Sequence, residues 1–168
     1  MPERKILVPL NQSKLSLEII PSVEKLFPSG ENELLLFYVT NPPGNVGFGE
    51  PDLGAGYVPM PGDEPVKPTL HQIYASQQED NIRAHVKAEL APLLKRLREA
   101  GYEVSIKVGF DKDPVAVISR HIRKSAIDLV AMSTRARVGV TRFFFRNIAD
   151  TLAQEAKVPV LLIHPSNE

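Results

Sequence analysis

The chain has no cysteine. That excludes disulfides, thiol redox chemistry and cysteine-ligated metal together, and it fits a reducing compartment. It has no surplus of charge of either sign, because 20 lysines and arginines stand against 20 acids. A zero balance argues against a dedicated DNA, RNA or membrane-surface binder, while leaving room for a local basic patch. Long hydrophobic runs are missing too. No stretch approaches the roughly 20 apolar residues a membrane span needs. The charged residues 1–5 lead into a short apolar strand rather than a signal-peptide core. The expectation is a soluble, cytoplasmic protein with no membrane partner. The four histidines, His71, His85, His121 and His164, show no metal-ligand spacing. No serine sits in a nucleophile-elbow pattern or beside a usable base, and Asp128, at the start of a strand, reads as a structural carboxylate. No catalytic residue and no metal site is identified, so nothing local argues for an enzyme.

What is present is a regular alternation of strand and helix. At 168 residues and 43% hydrophobic, the chain supports one globular domain with a real core. Residues 5–10 form an apolar strand, with Pro9 expected near its end because proline cannot donate to a ladder. Ser13 caps an expected helix reaching about Phe27, kinked at Pro21. Residues 34–39 are apolar without alternation, as in a strand buried on both faces of a parallel sheet. Residues 69–100 read as one helix. Ile82, Val86, Leu90, Leu93 and Leu97 share a face of it, Pro92 should bend it, and Gly101 stops it. Residues 102–108 alternate in part, as an edge strand would. Asp113-Pro114 opens a helix with Val117, Ile118 and Ile122 inward. Residues 127–132 are a buried central strand. Residues 141–156 form the last helix, with Phe144, Ile148 and Leu152 inward, and residues 158–164 the closing strand. Strict alternation predicts an α/β fold with a parallel sheet and right-handed crossovers.

One segment breaks the pattern. Residues 41–68 hold 7 of the 15 prolines and 6 of the 10 glycines. This reads as an insertion, either a surface excursion or a flap over a ligand.

Five short motifs then occur in a telling order: Ile6-Leu7-Val8-Pro9-Leu10-Asn11-Gln12-Ser13, residues 34–42, Gly109 to Pro114, Ala126-Ile127-Asp128-Leu129-Val130-Ala131-Met132, and Val158-Pro159-Val160-Leu161. Together they resemble the universal stress protein family over nearly the whole chain except the insertion. The resemblance implies an open five-stranded, mainly parallel sheet of order 3-2-1-4-5 with helices on both faces, the adenine-nucleotide alpha-hydrolase-like fold. The loops after strands one and four would then face each other at the switch point. It also implies a nucleotide site, mapping here onto Pro9, Asn11, Val39, Met132, Ser133, Ala136, Arg137, Gly139, Arg146 and Asn147.

Nucleotide-binding members of that family carry Gly-x2-Gly-x9-Gly-Ser/Thr, whose glycines let main-chain N–H groups approach phosphate. The corresponding positions here are Ser133, Ala136, Arg146 and Asn147, and the strand-one aspartate is Asn11. Gly139 falls within the spacer. A side chain where a positive φ is needed costs on the order of 1 kcal/mol, and Arg146 would fill phosphate space. Family-type ATP binding is therefore expected to be lost, and no cofactor is required. Against this, Arg135, Arg137, Arg142 and Arg146 form a basic cluster with no acid before Asp150. Such a cluster attracts anions, so ATP or another adenine nucleotide remains the alternative ligand.

The apolar closing strand would lie at a sheet edge. In the family such a strand pairs with its copy across a two-fold axis. The resemblance therefore implies a homodimer through Val158, Val160, Leu161, Leu162 and Ile163, with Pro159 limiting the ladder. Phe143-Phe144-Phe145 covers more than one helix face, which suits either packing beneath the insertion or contact with a partner subunit, and an unidentified protein partner is a further expectation. His85 and His121 read as surface or interface residues. The reading that results is a dimeric, non-enzymatic stress-response protein with a degenerate nucleotide loop.

Overall fold

The computed structural model describes the backbone of residues 2–43, 69–134 and 142–164, and the side chains of 2–43, 75–134 and 148–164. Five parallel strands form one sheet in the order β3-β2-β1-β4-β5. They are β1 (Arg4–Leu10), β2 (Asn32–Thr40), β3 (Glu103–Phe110), β4 (Leu129–Ser133) and β5 (Val160–Ile163). The helices are α1 (Ile20–Leu26), α2 (Thr69–Glu99), α3 (Pro114–Lys124) and α4 (Arg142–Glu155). Among the described residues no helix is long and apolar enough to cross a membrane. Of the 41–68 segment only residues 41–43 fall among the described residues, so the choice between excursion and flap lies outside them.

The pleat of the inner strands sorts the core into two layers. Ile6, Val8, Leu34, Leu36 and Tyr38 face α1 and α2, where they meet Val23, Val86, Leu90, Leu94 and Leu97. Leu7, Leu35, Phe37 and Val39 face the other way, against Ile118, Ile122 and Leu152 of α3 and α4. Strands buried on both faces need no polar residue in alternation, which is why β2 reads as a continuous apolar run. On α2 the buried stripe takes Leu94, with Leu93 only partly buried beside it. The helical period drifts, so a spacing of four, four and three keeps one face inward.

Local chemistry sets the boundaries. Ser13 does cap, its Oγ accepting from Leu15 N at 3.3 Å, but the helix it starts is a 3-10 segment, Lys14–Ile19. Pro21 then stands in the first turn of α1. The expected single kinked helix is thus two segments joined just before the proline, because proline has no N–H to give to the turn behind it and is tolerated only at a helix start. α2 runs on through Pro92. Gly101 (φ +92°) ends it: its N–H bonds Arg98 O at 2.9 Å and Tyr102 N bonds Leu97 O at 3.0 Å. That pair is the Schellman arrangement, which needs a residue at ease in the left-handed region. Asp113 caps α3, its Oδ1 accepting from Val115 N and Ala116 N at 3.0 and 3.2 Å.

His121 corrects an expectation. It is half-buried rather than on the open surface: its ring stacks on Phe37 at 4.6 Å between centroids and 14° between planes. Its Nε2 lies 3.1 Å from Ser125 Oγ. The apolar partner outweighs the polar ring because α3 lies close against β2 here. Burial, followed by Lys107 from β3 and Lys5 from β1, pushes the imidazole below its ordinary value of 6.5. A base whose folded pKa is depressed favours the fold when neutral. Its contribution is complete above 6.5 and is lost as pH falls through the folded value. Urea midpoints are expected to fall between pH 7.5 and 5.5, by less in His121→Gln than in the parent, whereas equal slopes would remove His121 as the cause.

Candidate functional site

The site begins with a missing donor. Lys5 O accepts from Asp128 N at 2.9 Å and Lys5 N donates to the Asp128 carboxylate at 2.7 Å, so the odd residues of β1 turn their polar groups toward β4. Pro9 is the next but one in that series and has no N–H. Pairing between β1 and β4 stops at Leu7↔Val130, while β1 stays paired to β2 through Leu10↔Tyr38. The sheet therefore parts at its carboxyl end, between the two strands where the winding reverses. In open α/β sheets ligands sit at such a reversal.

A cavity of about 430 Å³ occupies this parting. That is within the roughly 300–1,000 Å³ of small-molecule sites. Pro9, Asn11, Val39, Met132 and Ser133 all line it. The side chains of Arg146 and Asn147, and Ala136, Arg137 and Gly139 entirely, lie outside the described residues. So do Arg135 and the side chains of Arg142 and Phe143 to Phe145. The lining also includes Thr40, Asn41, Asp111, Pro114, Ile118 and Ile148, which were not among the mapped site residues although the first four lie within the motifs. Their shared signal is position. Thr40, Asn41 and Asp111 end or follow β2 and β3 on the same carboxyl edge of the sheet, and a parallel order already places those ends together.

The β1 side of the cavity is a hydrogen-bonded turn. Asn11 Oδ1 accepts from Ser13 N at 2.8 Å, and Asn11 N donates to Ser16 Oγ at 3.2 Å. Ser16 Oγ donates in turn to Ser13 O at 2.8 Å. Asparagine keeps the Asx geometry at a position where the family resemblance suggests aspartate. Ser133 Oγ donates to Leu15 O, tying the end of β4 to the 3-10 segment.

This last bond alters the reading of Ser133. The strain considered for a side chain at this position requires a positive φ. Among the described non-glycine residues only Ala126 (φ 47°) and Lys157 (φ 55°) have one. Ser133 continues the extended strand, so its side chain brings no backbone penalty and acts as a strut.

At the opposite wall, Asp111 N bonds Thr40 O at 3.1 Å, extending the β2–β3 ladder by a residue. Asp111 Oδ1 accepts from Asp113 N at 3.0 Å, and Oδ2 lies 3.8 Å from Arg120 Nη2. Among the described residues, no group of three or more His, Asp or Glu could hold a metal ion.

The comparisons accord with this geometry. A search of curated proteins found no match. Among solved structures, UspA from Lactobacillus plantarum superposes with a TM-score of 0.65 at 15% identity, over 98% of this chain and 99% of that one. A universal stress protein family member from Burkholderia pseudomallei gives 0.60 at 19% identity, over 97% of each. A universal stress protein in complex with cAMP gives 0.54 at 15% identity, over 99% of this chain and 100% of that one. Identities this low speak for the fold. The family model "Universal stress protein family" matches residues 3–164, and the chain belongs to that family.

Proposed function

We propose that the protein is a non-enzymatic stress-response regulator that senses an adenine nucleotide in the crevice between β1 and β4, holds triphosphate weakly, and works as a homodimer. The observation that carries the ligand part is the cavity of about 430 Å³, which persists although the loop glycines of nucleotide-binding relatives are replaced. Its apolar lining (Pro9, Val39, Met132, Ile118, Ile148) suits a planar base and a sugar. The Ser13, Ser16 and Ser133 hydroxyls on it are engaged with backbone groups rather than with a base, which supports binding over turnover. The related fold solved with cAMP adds an adenine nucleotide of low charge to the ligands worth testing. This favours sensing over an empty scaffold acting through association alone.

The homodimer draws support from the unequal treatment of the two sheet edges. On β3 the even residues face outward. Their carbonyls at Val104 and Val108 accept from Arg98 Nη2 at 3.3 Å and Arg83 Nη1 at 3.0 Å, both from α2. Arginine side chains thus occupy acceptors that another strand would need. On β5 the outward residues are Val160 and Leu162, since Pro159 O and Ile163 O accept from Val130 N and Thr134 N of the β4 segment. Pro159 therefore faces β4, and its missing donor does not limit the outer ladder as expected from sequence.

Calorimetric titration with AMP, cAMP and ATP tests the ligand part. Saturable binding of AMP or cAMP, with ATP weaker by about tenfold or more (about 1.4 kcal/mol), is the expected result. Silence with all three would defeat it, and ATP binding tightest would show that the triphosphate grip is intact.

A further inference from the structure

The geometry points to Asp111 as the residue that selects the ligand: it accepts paired N–H or O–H donors at the β2–β3 end of the crevice and keeps phosphate away from that end. This rests on the reading of the crevice as a ligand site, and it adds a direction and a chemistry to it.

Asp111 is the one charged side chain among the described residues lining the cavity. Its backbone is fixed, because Asp111 N is bonded to Thr40 O at 3.1 Å. Its carboxylate is only partly engaged. Oδ1 takes the Asp113 N–H at 3.0 Å, while the contact from Oδ2 to Arg120 Nη2, at 3.8 Å, is an ion pair longer than a hydrogen bond. The Arg120 side chain is 55% exposed, so water screens that pair. An ionised carboxylate offers about four acceptor sites, and capacity remains for a ligand. Across the cavity the position is reversed. Asn11, Ser13, Ser16 and Ser133 are held by bonds within the protein.

Charge then orients the occupant. An anionic phosphate is repelled by Asp111 and belongs at the other end of the cavity, toward Met132, Ser133 and Thr134 of the β4 segment. The end of the ligand that reaches Asp111 must bring donors. In a nucleotide that chemistry has two sources, the amine-bearing edge of the base and the vicinal hydroxyls of the ribose. Carboxylates serve in the second way in dinucleotide-binding folds.

The test is Asp111→Asn, which preserves shape and the acceptor for Asp113 N while removing the charge and placing an amide NH2 donor in the cavity. Adenosine, AMP and 2′-deoxyadenosine are titrated into both proteins, with melting temperature as the check on folding. Asp111→Asn is expected to weaken adenosine and AMP at least tenfold. A loss that persists with 2′-deoxyadenosine assigns the donors to the base, and one that disappears assigns them to the ribose. If the parent saturates with adenosine and Asp111→Asn binds it equally well, the role given to Asp111 is overturned while the ligand site stands. If the parent binds none of the three, the ligand site itself fails and takes this inference with it. Should Asp111→Asn not fold, Arg120→Ala replaces it. Freeing the carboxylate is expected to tighten adenosine several-fold, and unchanged or weaker binding would contradict the proposal.

Discussion

Gly109→Ala is expected to lower stability by about 1–3 kcal/mol, the usual range for overpacking a filled core. Two effects compete. Gly109 is within β3 and its φ is not positive, so alanine is conformationally allowed. Reducing the freedom of the unfolded chain would then favour alanine by about 0.4–1 kcal/mol. Against that, a Cβ at this position would lie 2.9 Å from Phe37 Cζ and 3.1 Å from Val117 Cγ2. Phe37 cannot swing aside readily, because it is 4% exposed and its other neighbour is the His121 ring. The steric term wins, because the Phe37 ring and the Val117 side chain of α3 already fill the space a methyl group would take. Chemical denaturation of the parent, Gly109→Ala, Phe37→Leu and the double variant would measure it. The double variant is expected to recover part of the loss, since the shorter side chain leaves room for the methyl group. A single variant as stable as the parent would mean that the ring relaxes freely.

Val160→Pro is expected to shift the protein from dimer toward monomer. Val160 lies in β5 with its N–H on the open side of the sheet, away from β4. Proline removes that donor and sets its ring against any approaching strand, but leaves the bonds to β4 in place. Two-fold symmetry counts the change twice. At about 0.5–1.5 kcal/mol for each ladder bond, the pair is worth about 1–3 kcal/mol, or roughly 5–150-fold in the dimer dissociation constant. Sedimentation across a concentration series reads the shift directly. A parent that is monomeric throughout, or a variant that dimerises as the parent does, would remove β5 as the interface.

The β3 edge offers the control. Arg98 and Arg83 occupy carbonyls of that edge strand from α2. No sequence pattern announces this, since an arginine on a long amphipathic helix reads as part of a solvated face. Only the approach of α2 to β3 turns it into a cover. Arg83 also lies over the Phe110 ring at 4.8 Å, which holds the guanidinium in place.

Sequence alone determined the parts of this protein that depend on neighbours along the chain. Continuous apolar runs made β1, β2 and β4 recognisable as strands, and marked β2 and β4 as buried. Asp113-Pro114 and Gly101 marked helix ends through a side-chain acceptor and a positive φ, both local requirements. The order of the motifs carried a resemblance to the family, and that resemblance implied the sheet order and a crevice site including Pro9, Asn11, Val39, Met132 and Ser133, all of which line the cavity. Tertiary structure decided what depends on groups distant in the chain. It joined Ser133 to Leu15 and Phe37 to His121, and it turned Pro159 toward β4. It also brought Asp111 to a cavity whose other wall begins at Pro9. These pairings follow from strand register and from the distance at which helices settle on the sheet, set by the packing of all the layers together, and no short stretch of residues encodes them.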